Sequence, residues 1–247
     1  MRVNAVRVNV IVQARLSSTR LPGKVLRLLG GRSVLGWAVR AAHQVPGVDT
    51  VVVATSTNPE DDAVAEEARR CGAAVVRGPL RDVLGRFGTA VREHPCDAVV
   101  RLTADCPLLD PDLIGQLVAL WRADPTLDYV SNVLVRTLPR GLDAELVRCA
   151  VLDEQRAQAR GADRVHVTSG IYTRPERYRC AGLVVAPDSS DLRVTLDTEA
   201  DLAVLEGLVS VLGTGVPGWR AVVAALRARP ELAALNAGID PKPSEAG

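Results

Sequence analysis

Residues 8–24, VNVIVQARLSSTRLPGK, determine the fold class that the sequence predicts. A β-branched apolar run is followed directly by a loop with three hydroxyl side chains, two arginines, a Pro-Gly turn and Lys24. In parallel α/β sheets, ligands bind beyond the carboxyl ends of the strands, and the loop after the first strand commonly binds phosphate. Lys24 is one of only two lysines in the chain, and its ammonium acts on phosphate as a compact point charge that arginine does not replace. The stretch therefore predicts an α/β fold with a polyphosphate site after its first strand.

The loop matches neither of the common phosphate-binding motifs, since GxxxxGK[ST] and GxGxxG are both absent from it. Its backbone N–H groups, the hydroxyls of residues 17–19 and the cations Arg15, Arg20 and Lys24 would nevertheless suit a polyphosphate. A solvated loop with ordinary surface arginines explains the same residues. Residue chemistry alone leaves both interpretations open.

Short β-branched runs alternate with longer Ala/Leu/Arg/Glu stretches along the chain, which is typical of βα units around a mostly parallel sheet. We predict strands over residues 8–12, 50–54, 73–76, 98–102, 129–130 and 192–196. We predict helices over residues 33–44, 60–71, 83–93, 111–121, 150–159 and 198–212. The predicted fold is thus α/β, with a Rossmann-like mixed and mostly parallel sheet.

Two segments depart from this alternation. Residues 132–187 carry Gly, Pro and Arg at irregular positions, which predicts a small inserted lobe. Residues 236–247 are polar and rich in Pro and Gly, which predicts a disordered tail. We expect residues 1–235 to form one domain, because a length of 247 residues does not require two.

Composition excludes several classes of protein. A net charge of +1 gives no global electrostatic reason to bind nucleic acid or an acidic membrane. The five cysteines are widely spaced without a CxxC pair, which argues against a disulfide framework or a zinc site. No apolar run approaches the ~20 residues that span a bilayer, and the first residues lack the features of a signal peptide. We expect a cytoplasmic protein with no nucleic-acid or membrane partner.

Eight motifs follow one another along the chain. They are IVQARLSSTRLPGKVL (11–26), VVVATSTNPEDD (51–62), RGPLRDVLGRF (77–87), VRLTADCPLLDPDLI (100–114), YVSN (129–132), GLDAE (141–145), HVT (166–168) and VTLDTEADL (194–202). Over about residues 8–212 this series resembles the spore-coat polysaccharide cytidylyltransferase-like family, which is similar to the CMP-3-deoxy-manno-octulosonate synthetases. The resemblance implies a nucleotide-diphospho-sugar transferase (GT-A-like) fold and nucleotidyl transfer from CTP.

Two aspartates that follow predicted strands are candidate metal ligands. Magnesium uses few protein carboxylates and keeps water and phosphate oxygens as its other ligands. Asp105 follows the predicted strand 98–102, and Asp197 follows the predicted strand 192–196. From the residues alone, a turn-forming role also explains Asp105, and a helix N-cap also explains Asp197. The resemblance implies that both bind Mg²⁺, which would neutralise charge on the departing pyrophosphate.

The resemblance also implies the other residues of a nucleotide site. The loop between the third predicted strand and the next helix would recognise the base. Leu80 and Arg81 stand there in places that are usually acidic or polar, so the choice of cytosine over uracil or guanine stays open. The expected catalytic residues are Arg15, Lys24 and Asp105. The expected nucleotide-binding residues are Gln13, Ala14, Arg15, Ser18, Arg20, Lys24, Thr55, Arg77, Gly78 and Thr103.

Four residues are expected at the acceptor, namely Arg101, Asp143, Glu145 and His166. A structural arginine paired with a carboxylate also explains Arg101, and a solvated hairpin edge also explains Asp143 and Glu145. The family typically has glutamate at position 165, before the histidine, and Pro-Tyr-Ile after the threonine. This chain has neither, which leaves the acceptor's identity, or the dimer contact of this segment, open. Cys106 is interpreted as a small buried thiol, because no adjacent histidine or base would activate it as a nucleophile.

The predicted function is Mg²⁺-dependent transfer of CMP from CTP, or from another nucleoside triphosphate, to a small anionic acceptor. The acceptor would be a sugar acid, a sugar phosphate or a phosphonate, and the resemblance implies a homodimer that uses the inserted lobe. One alternative is a glycosyltransferase of the same fold, which would have Asp-x-Asp where this chain has Thr103-Ala104-Asp105. Another is a non-catalytic nucleotide-binding protein, which would have lost the loop cations or the metal-binding acids.

Overall fold

A mixed sheet forms the centre of the molecule in the computed structural model, which describes residues 6–240. The strands are β1 (Val8–Gln13), β2 (Leu28–Leu29), β3 (Arg32–Ser33), β4 (Thr50–Ser56), β5 (Ala74–Gly78), β6 (Ala98–Thr103), β7 (Tyr129–Ser131), β8 (Glu145–Arg148) and β9 (Cys180–Gly182). The central sheet has the order β5-β4-β1-β6-β8-β7-β9, and β2 pairs with β3 in a separate hairpin. Strands β5, β4, β1 and β6 are mutually parallel, whereas β8 is antiparallel to β6 and β7. The carboxyl ends of the four parallel strands therefore lie along one edge, where ligands bind in such sheets.

Helices cover both faces of the sheet. They are α1 (Val34–His43), α2 (Asp62–Arg70), α3 (Val83–Glu93), α4 (Pro111–Ala123), α5 (Cys149–Gln158), α6 (Asp163–His166), α7 (Ser169–Tyr172), α8 (Glu199–Leu212), α9 (Trp219–Arg227) and α10 (Pro230–Ala234). Val10 and Val12 of β1 share a core with α1 and α4, while Ile11 packs with α3 and α5 on the opposite face. Burial on both faces explains why β1 is a nearly continuous apolar run. No helix within residues 6–240 has the length and apolar character needed to cross a bilayer.

The predicted alternation of strands and helices is confirmed for five of the six predicted strands and for all six predicted helices. The predicted helix over residues 83–93 coincides with α3, and the bounds of the other confirmed elements differ from prediction by at most two residues. Asp110 caps α4, because its Oδ1 accepts hydrogen bonds from the N–H groups of Asp112 and Leu113. The predicted mixed α/β fold class is therefore confirmed.

The strand predicted over residues 192–196 is wrong. Only Arg193 forms a β-bridge there, to Arg140, and the flanking residues belong to no strand. The apolar residues of this stretch are buried in a third core with α8 and α9, so their alternation reflects burial without sheet pairing. Gly141 makes the close approach possible, because a Cβ on it would lie 2.5 Å from the backbone nitrogen of Thr195.

The two segments that depart from the βα alternation both contain ordered structure. The segment 132–187, predicted as an inserted lobe, contributes β8 and β9 to the central sheet and α5, α6 and α7 to its surroundings, so it shares the core of the domain. The predicted disordered tail begins at Asn236, yet Asn236 is 3% exposed and its amide donates to Asp201 Oδ1 at 2.9 Å. The ordered part of the chain therefore extends past residue 235, where the Asn236 amide provides a hydrogen-bond donor for the buried Asp201 carboxylate. Residues 241–247 of the predicted tail lie outside the described residues.

Candidate active site

The loop after β1 forms one wall of a cavity of about 900 Å³ at the carboxyl ends of the parallel strands. Its lining contains every predicted residue of the phosphate loop together with both predicted metal ligands. These predicted residues are Gln13, Ala14, Arg15, Ser18, Arg20, Lys24, Asp105 and Asp197. Two further predicted residues, Thr103 and Asp143, also line the cavity. Residues 13–24 therefore line a cavity, which favours the phosphate-binding interpretation over that of an ordinary surface loop.

Local interactions fix the shape of this loop. Gly23 has φ +70°, a left-handed conformation that favours glycine, and its N–H donates to the carbonyl of Leu16 at 3.2 Å. Lys24 follows as the first residue of a 3₁₀ turn, Lys24–Leu26. The carboxylate of Asp61, which is fully buried, accepts a hydrogen bond from the Leu16 N–H at 2.6 Å and another from the Ser56 hydroxyl. The turn thus directs Lys24 inward, and Asp61 holds the start of the loop.

Lys24 joins the two predicted metal ligands. Its Nζ lies 2.6 Å from Asp105 Oδ2 and 2.7 Å from Asp197 Oδ1, and the residue is 8% exposed. Burial by itself lowers the pKa of Lys24, but the two carboxylates outweigh burial and raise it. Burial would raise the pKa of Asp197, but Lys24, Arg193 and Arg20 hold that pKa at about 2. The Lys24 ammonium and the Asp197 carboxylate are therefore both held in their charged forms within one partly buried cluster.

The carboxylates of Asp105 and Asp197 fit a divalent cation. Both approach one positively charged atom, the Lys24 Nζ, so a cation placed between them would meet two anionic oxygens. Residues 6–240 contain no cluster of three or more His, Cys, Asp or Glu side chains suited to a metal. A two-carboxylate site with room for phosphate oxygens and water matches the preference of Mg²⁺.

The surroundings of the two aspartates exclude one of their alternative roles, that of Asp197 as a helix cap. Asp105 does lie in a turn after β6, as its alternative role requires. Thr198 is the N-cap of α8 and forms a capping box with Asp201, so the interpretation of Asp197 as the cap is wrong. The side chain of Asp105 pairs with Lys24, while its backbone carbonyl accepts the Leu196 N–H at 2.8 Å. This backbone contact brings the two aspartates to the same edge of the sheet although no strand leads to Asp197.

Cys106, next to Asp105, is a buried thiol as predicted. It is 4% exposed, and burial and the neighbouring carboxylates raise its pKa far above the ordinary value of 9.0. A thiol with a raised pKa contains little of the thiolate that a nucleophile needs. The structure therefore agrees with a packing role.

Three residues predicted to bind nucleotide have other surroundings in the structure. Thr55 is fully buried, and Arg77 donates to the backbone carbonyls of Ser56 and Asn58. A Cβ on Gly78 would lie 2.9 Å from Cγ of Arg86, so this glycine makes room for the Arg86 side chain. None of the three is among the residues that line the cavity.

The four predicted acceptor residues line a second cavity of about 470 Å³. They are Arg101, Asp143, Glu145 and His166. Thr103 and Asp143 line both cavities, so the two spaces adjoin at the carboxyl end of β6. The structure therefore brings the predicted acceptor residues together, next to the predicted nucleotide residues.

Glu145 is the centre of a hydrogen-bond network beside the smaller cavity. It is 6% exposed and forms an ion pair with Arg101, which also donates through Nε to Gln13 Oε1 at 3.0 Å. The hydroxyls of Tyr129 and Thr168 donate to Glu145 Oε1 at 2.5 and 2.6 Å. Burial would raise the pKa of Glu145, but Arg101 and these hydroxyls hold it below its ordinary value. A solvated hairpin edge is therefore wrong for Glu145, and the interpretation of Arg101 as paired with a carboxylate is confirmed.

The other two acceptor residues differ in their partners. Asp143 accepts two hydrogen bonds from the Arg136 guanidinium, at 2.7 and 2.9 Å. The Nε2 atom of His166 is buried and has no hydrogen-bond partner among the described residues. Val167, the next residue, has φ +62°, a strained conformation for a β-branched side chain. A strained backbone and an unpartnered polar atom thus occur side by side next to the smaller cavity.

Sequence reasoning did not identify several charged residues of the larger cavity, notably Arg86, Arg140 and Arg193. Arg193 donates to Asp197 at 2.6 Å and to Asp201 at 2.8 Å, which positions the predicted metal ligand. The sequence could have indicated Arg86, because this arginine shares a face of α3 with the apolar residues Val83 and Phe87. No such pattern indicates Arg140 and Arg193, since only the close approach at their β-bridge brings them to the cavity.

The fold and the two adjoining cavities define an α/β protein of the Rossmann-like nucleotidyltransferase type. The chain matches the family model described as cytidylyltransferase over residues 9–181, more than half of its length. It belongs to the cytidylyltransferase family. Family membership favours nucleotidyl transfer over the glycosyltransferase and non-catalytic alternatives.

Individual relatives agree with this assignment. The chain is 34% identical to the spore coat polysaccharide biosynthesis protein SpsF of Bacillus subtilis over 212 residues, which cover 82% of this chain and 86% of that protein. It is 37% identical to the 3-deoxy-manno-octulosonate cytidylyltransferase of Maricaulis maris over 139 residues, which cover 55% and 52% of the two chains. A solved cytidylyltransferase from Leptospira borgpetersenii has a TM-score of 0.89 to this chain at 27% identity, covering 92% of this chain and 97% of that one. The resemblance predicted from the motif series is confirmed.

Proposed function

We propose that this protein transfers the cytidylyl group of CTP to a small anionic acceptor in an Mg²⁺-dependent reaction. An acceptor oxygen attacks the α-phosphorus, the bond from that phosphorus to the bridging oxygen breaks, and pyrophosphate leaves with the electron pair. A hydroxyl acceptor gives up its proton to water, whereas an ionised phosphate or phosphonate oxygen has no proton to lose. The observation that carries the proposal is the convergence of Lys24, Asp105 and Asp197 on one point of a cavity that the phosphate loop encloses.

The cations of the loop would hold the triphosphate. Arg15 and Lys24 line the larger cavity, and Arg20 lies 2.8 Å from Asp197 at the same point. Positioned cations stabilise charge that develops on the phosphates, and this contribution needs no covalent enzyme intermediate. When CTP enters, the Lys24 ammonium would exchange its carboxylate partners for phosphate oxygens.

Asp105 and Asp197 would hold Mg²⁺ through one carboxylate each. When bound, the ion would polarise the α-phosphate and neutralise charge on the leaving pyrophosphate. Arg193 would keep the Asp197 carboxylate oriented, because it bridges Asp197 and Asp201. Burial of Asp201 and its capping box with Thr198 make that support rigid.

The smaller cavity would hold the acceptor. Its two arginines, Arg101 and Arg136, are already paired with Glu145 and Asp143, so they act mainly in positioning. The unpartnered Nε2 of His166 would donate to or accept from an acceptor group there. Arg140, on the wall of the larger cavity, forms no ion pair within the described part of the chain and would attract the acceptor's negative group. A sugar acid, a sugar phosphate or a phosphonate all carry such a group.

Pyrophosphate release tests the proposal. CTP, UTP, ATP and GTP would each be supplied with and without Mg²⁺, against a panel of sugar acids, sugar phosphates and phosphonates. The expected result is Mg²⁺-dependent release with CTP and with one class of acceptor. If calorimetry detected no binding of any triphosphate, the assignment of the larger cavity would be overturned.

A homodimer that uses the segment 132–187 is a further part of the proposal. Val135, Tyr172 and Val184 of this segment are exposed at 59%, 39% and 55%, and an apolar surface of this kind suits a subunit contact. Sedimentation equilibrium would test it directly. A monomer at micromolar protein concentration would contradict this part of the proposal and leave the catalytic part unaffected.

A further inference from the structure

Arg86 is the most completely buried cation on the wall of the larger cavity. The residue is 2% exposed, and its Nη1 donates to the carbonyls of Pro79 and Leu80 at 2.8 and 2.9 Å. Its Nε is buried and has no hydrogen-bond partner among the described residues. A guanidinium carries five N–H donors, so these contacts leave part of its donor capacity unused.

No carboxylate neutralises this guanidinium within the described residues. Asp61 and Asp82 act on it only through space, because Asp61 accepts from Leu16 and Ser56 while Asp82 pairs with Arg164. Burial accordingly lowers the pKa of Arg86 to about 10, and the nearby charge of Arg15 adds to this effect. Burying an unpaired charge is unfavourable, so a buried arginine without a carboxylate partner points to a ligand that completes its hydrogen bonds.

The topology of the sheet separates Arg86 from the metal-binding end of the cavity. Asp105 follows β6, and Arg86 lies on the helix that follows β5, while β1 and β4 stand between those two strands. Three strand spacings correspond to about 14 Å. A triphosphate held by the loop after β1 and by Asp105 therefore leaves the β5 end for the nucleoside.

The cavity wall near Arg86 suits a flat heterocycle. Val83 stands one turn earlier on α3 and lines the same cavity. Val165 of α6 also lines it, and α6 is tied to the start of α3 by the ion pair of Arg164 with Asp82, at 2.7 Å. Two apolar side chains beside one buried donor group form a surface for a base, whereas the phosphate loop supplies hydroxyls and cations.

We propose that Arg86 is a specificity-determining residue that donates hydrogen bonds to the acceptor atoms of the cytosine ring, N3 and O2. Cytosine presents two adjacent acceptors, which match the donors of a guanidinium. Uracil presents an N3–H donor at the same position, so a donor would face a donor. This inference rests on the proposed function, because it assigns the base end of the CTP site.

The test measures binding by calorimetry in the presence of Mg²⁺. The ligands are CTP, UTP, inorganic tripolyphosphate and 3-deaza-CTP, in which a C–H group replaces the N3 acceptor. The proteins are the wild type, the variant Arg86→Gln and the control variant Arg92→Gln. Arg92 is exposed on the same helix and donates only to Thr89, so its loss leaves the cavity unchanged.

The wild type is expected to bind CTP at least tenfold more tightly than UTP or 3-deaza-CTP. Arg86→Gln is expected to reduce both ratios to about one, with tripolyphosphate binding unchanged, and Arg92→Gln is expected to keep both ratios. Equal wild-type affinities for CTP and 3-deaza-CTP would overturn the inference, and this comparison does not depend on whether a variant folds. Weaker tripolyphosphate binding by folded Arg86→Gln would also overturn it, since Arg86 would then contact phosphate. Absence of any CTP binding by the wild type would instead overturn the proposed function itself.

Discussion

The two cavities differ in how their charges are compensated. Six cationic side chains and four carboxylates line the larger cavity, and Arg15, Arg86 and Arg140 form no ion pair there with any residue in the range 6–240. Two arginines and two carboxylates line the smaller cavity, and each arginine is paired with one of the acids. Cations without a carboxylate partner raise the local concentration of anions, whereas paired charges fix the positions of side chains. The larger cavity is thus suited to a polyanion, and the smaller one to a molecule recognised mainly by shape and hydrogen bonds.

The largest effect is expected from removing one carboxylate of the larger cavity. Asp105→Asn and Asp197→Asn should each reduce nucleotidyl transfer about 1000-fold, because each removes half of the protein charge that holds Mg²⁺. The measurement is pyrophosphate release with CTP and the acceptor that the panel identifies. Asp112→Asn, an exposed aspartate at the start of α4, is the control and should keep full activity. More than a tenth of wild-type activity in both site variants would show that the cavity does not need this pair.

Lys24→Ala should reduce kcat about 100-fold, because it removes a charge that contacts the triphosphate. The change in the free energy of unfolding should be much smaller than the change in the activation free energy. The substitution should also raise the affinity for Mg²⁺ without nucleotide about tenfold, because the ammonium no longer competes for Asp105 and Asp197. Calorimetric titration with Mg²⁺ alone measures this affinity independently of activity. Unchanged Mg²⁺ affinity together with unchanged kcat would contradict both roles of Lys24.

In the smaller cavity, Glu145→Gln should destabilise the fold by about 3 kcal/mol, because it leaves the Arg101 guanidinium buried without its partner. The folded-state pKa of Glu145 lies below its ordinary value of 4.5, so its stabilisation is complete above about pH 4.5 and is lost as the pH falls through the lower value. The difference in unfolding free energy between variant and wild type should therefore be largest at neutral pH and should shrink in acid. Denaturant unfolding at several pH values measures this. Glu199→Gln removes an exposed carboxylate that pairs with Arg27, and it should change stability by less than about 1 kcal/mol.

The smallest effect is expected where the two cavities adjoin. Arg140→Gln should raise the KM for the acceptor about tenfold and leave the KM for CTP unchanged, because it removes one charge-assisted contact to the acceptor's anionic group. Steady-state kinetics with each substrate varied in turn would measure both constants. If the KM for CTP rose instead, Arg140 would belong to the triphosphate site, and the division of roles between the cavities would need revision.

Local patterns predicted the parallel half of the fold and the phosphate loop, because both depend on short stretches of chain. Strand β1 is apolar on both faces, and the loop after it concentrates cations and hydroxyls within 12 residues, 13–24. The sequence did not predict β8 and β9, since they are short and derive their stability from pairing with distant strands. The prediction of a strand over residues 192–196 failed for the related reason that burial in a core produces the same apolar alternation.

The sequence by itself determined the α/β class and the family, and it singled out Lys24, Asp105 and Asp197 as candidate site residues, because ordered motifs and residue types are local properties. Only the tertiary structure decided what those residues contact. It brought Lys24 within 2.7 Å of two carboxylates that stand 81 and 173 residues away in the chain. It also buried Arg86 without a carboxylate partner and paired the acceptor-site acids with arginines. Charge compensation depends on distance in space, and the packing of the whole sheet sets that distance.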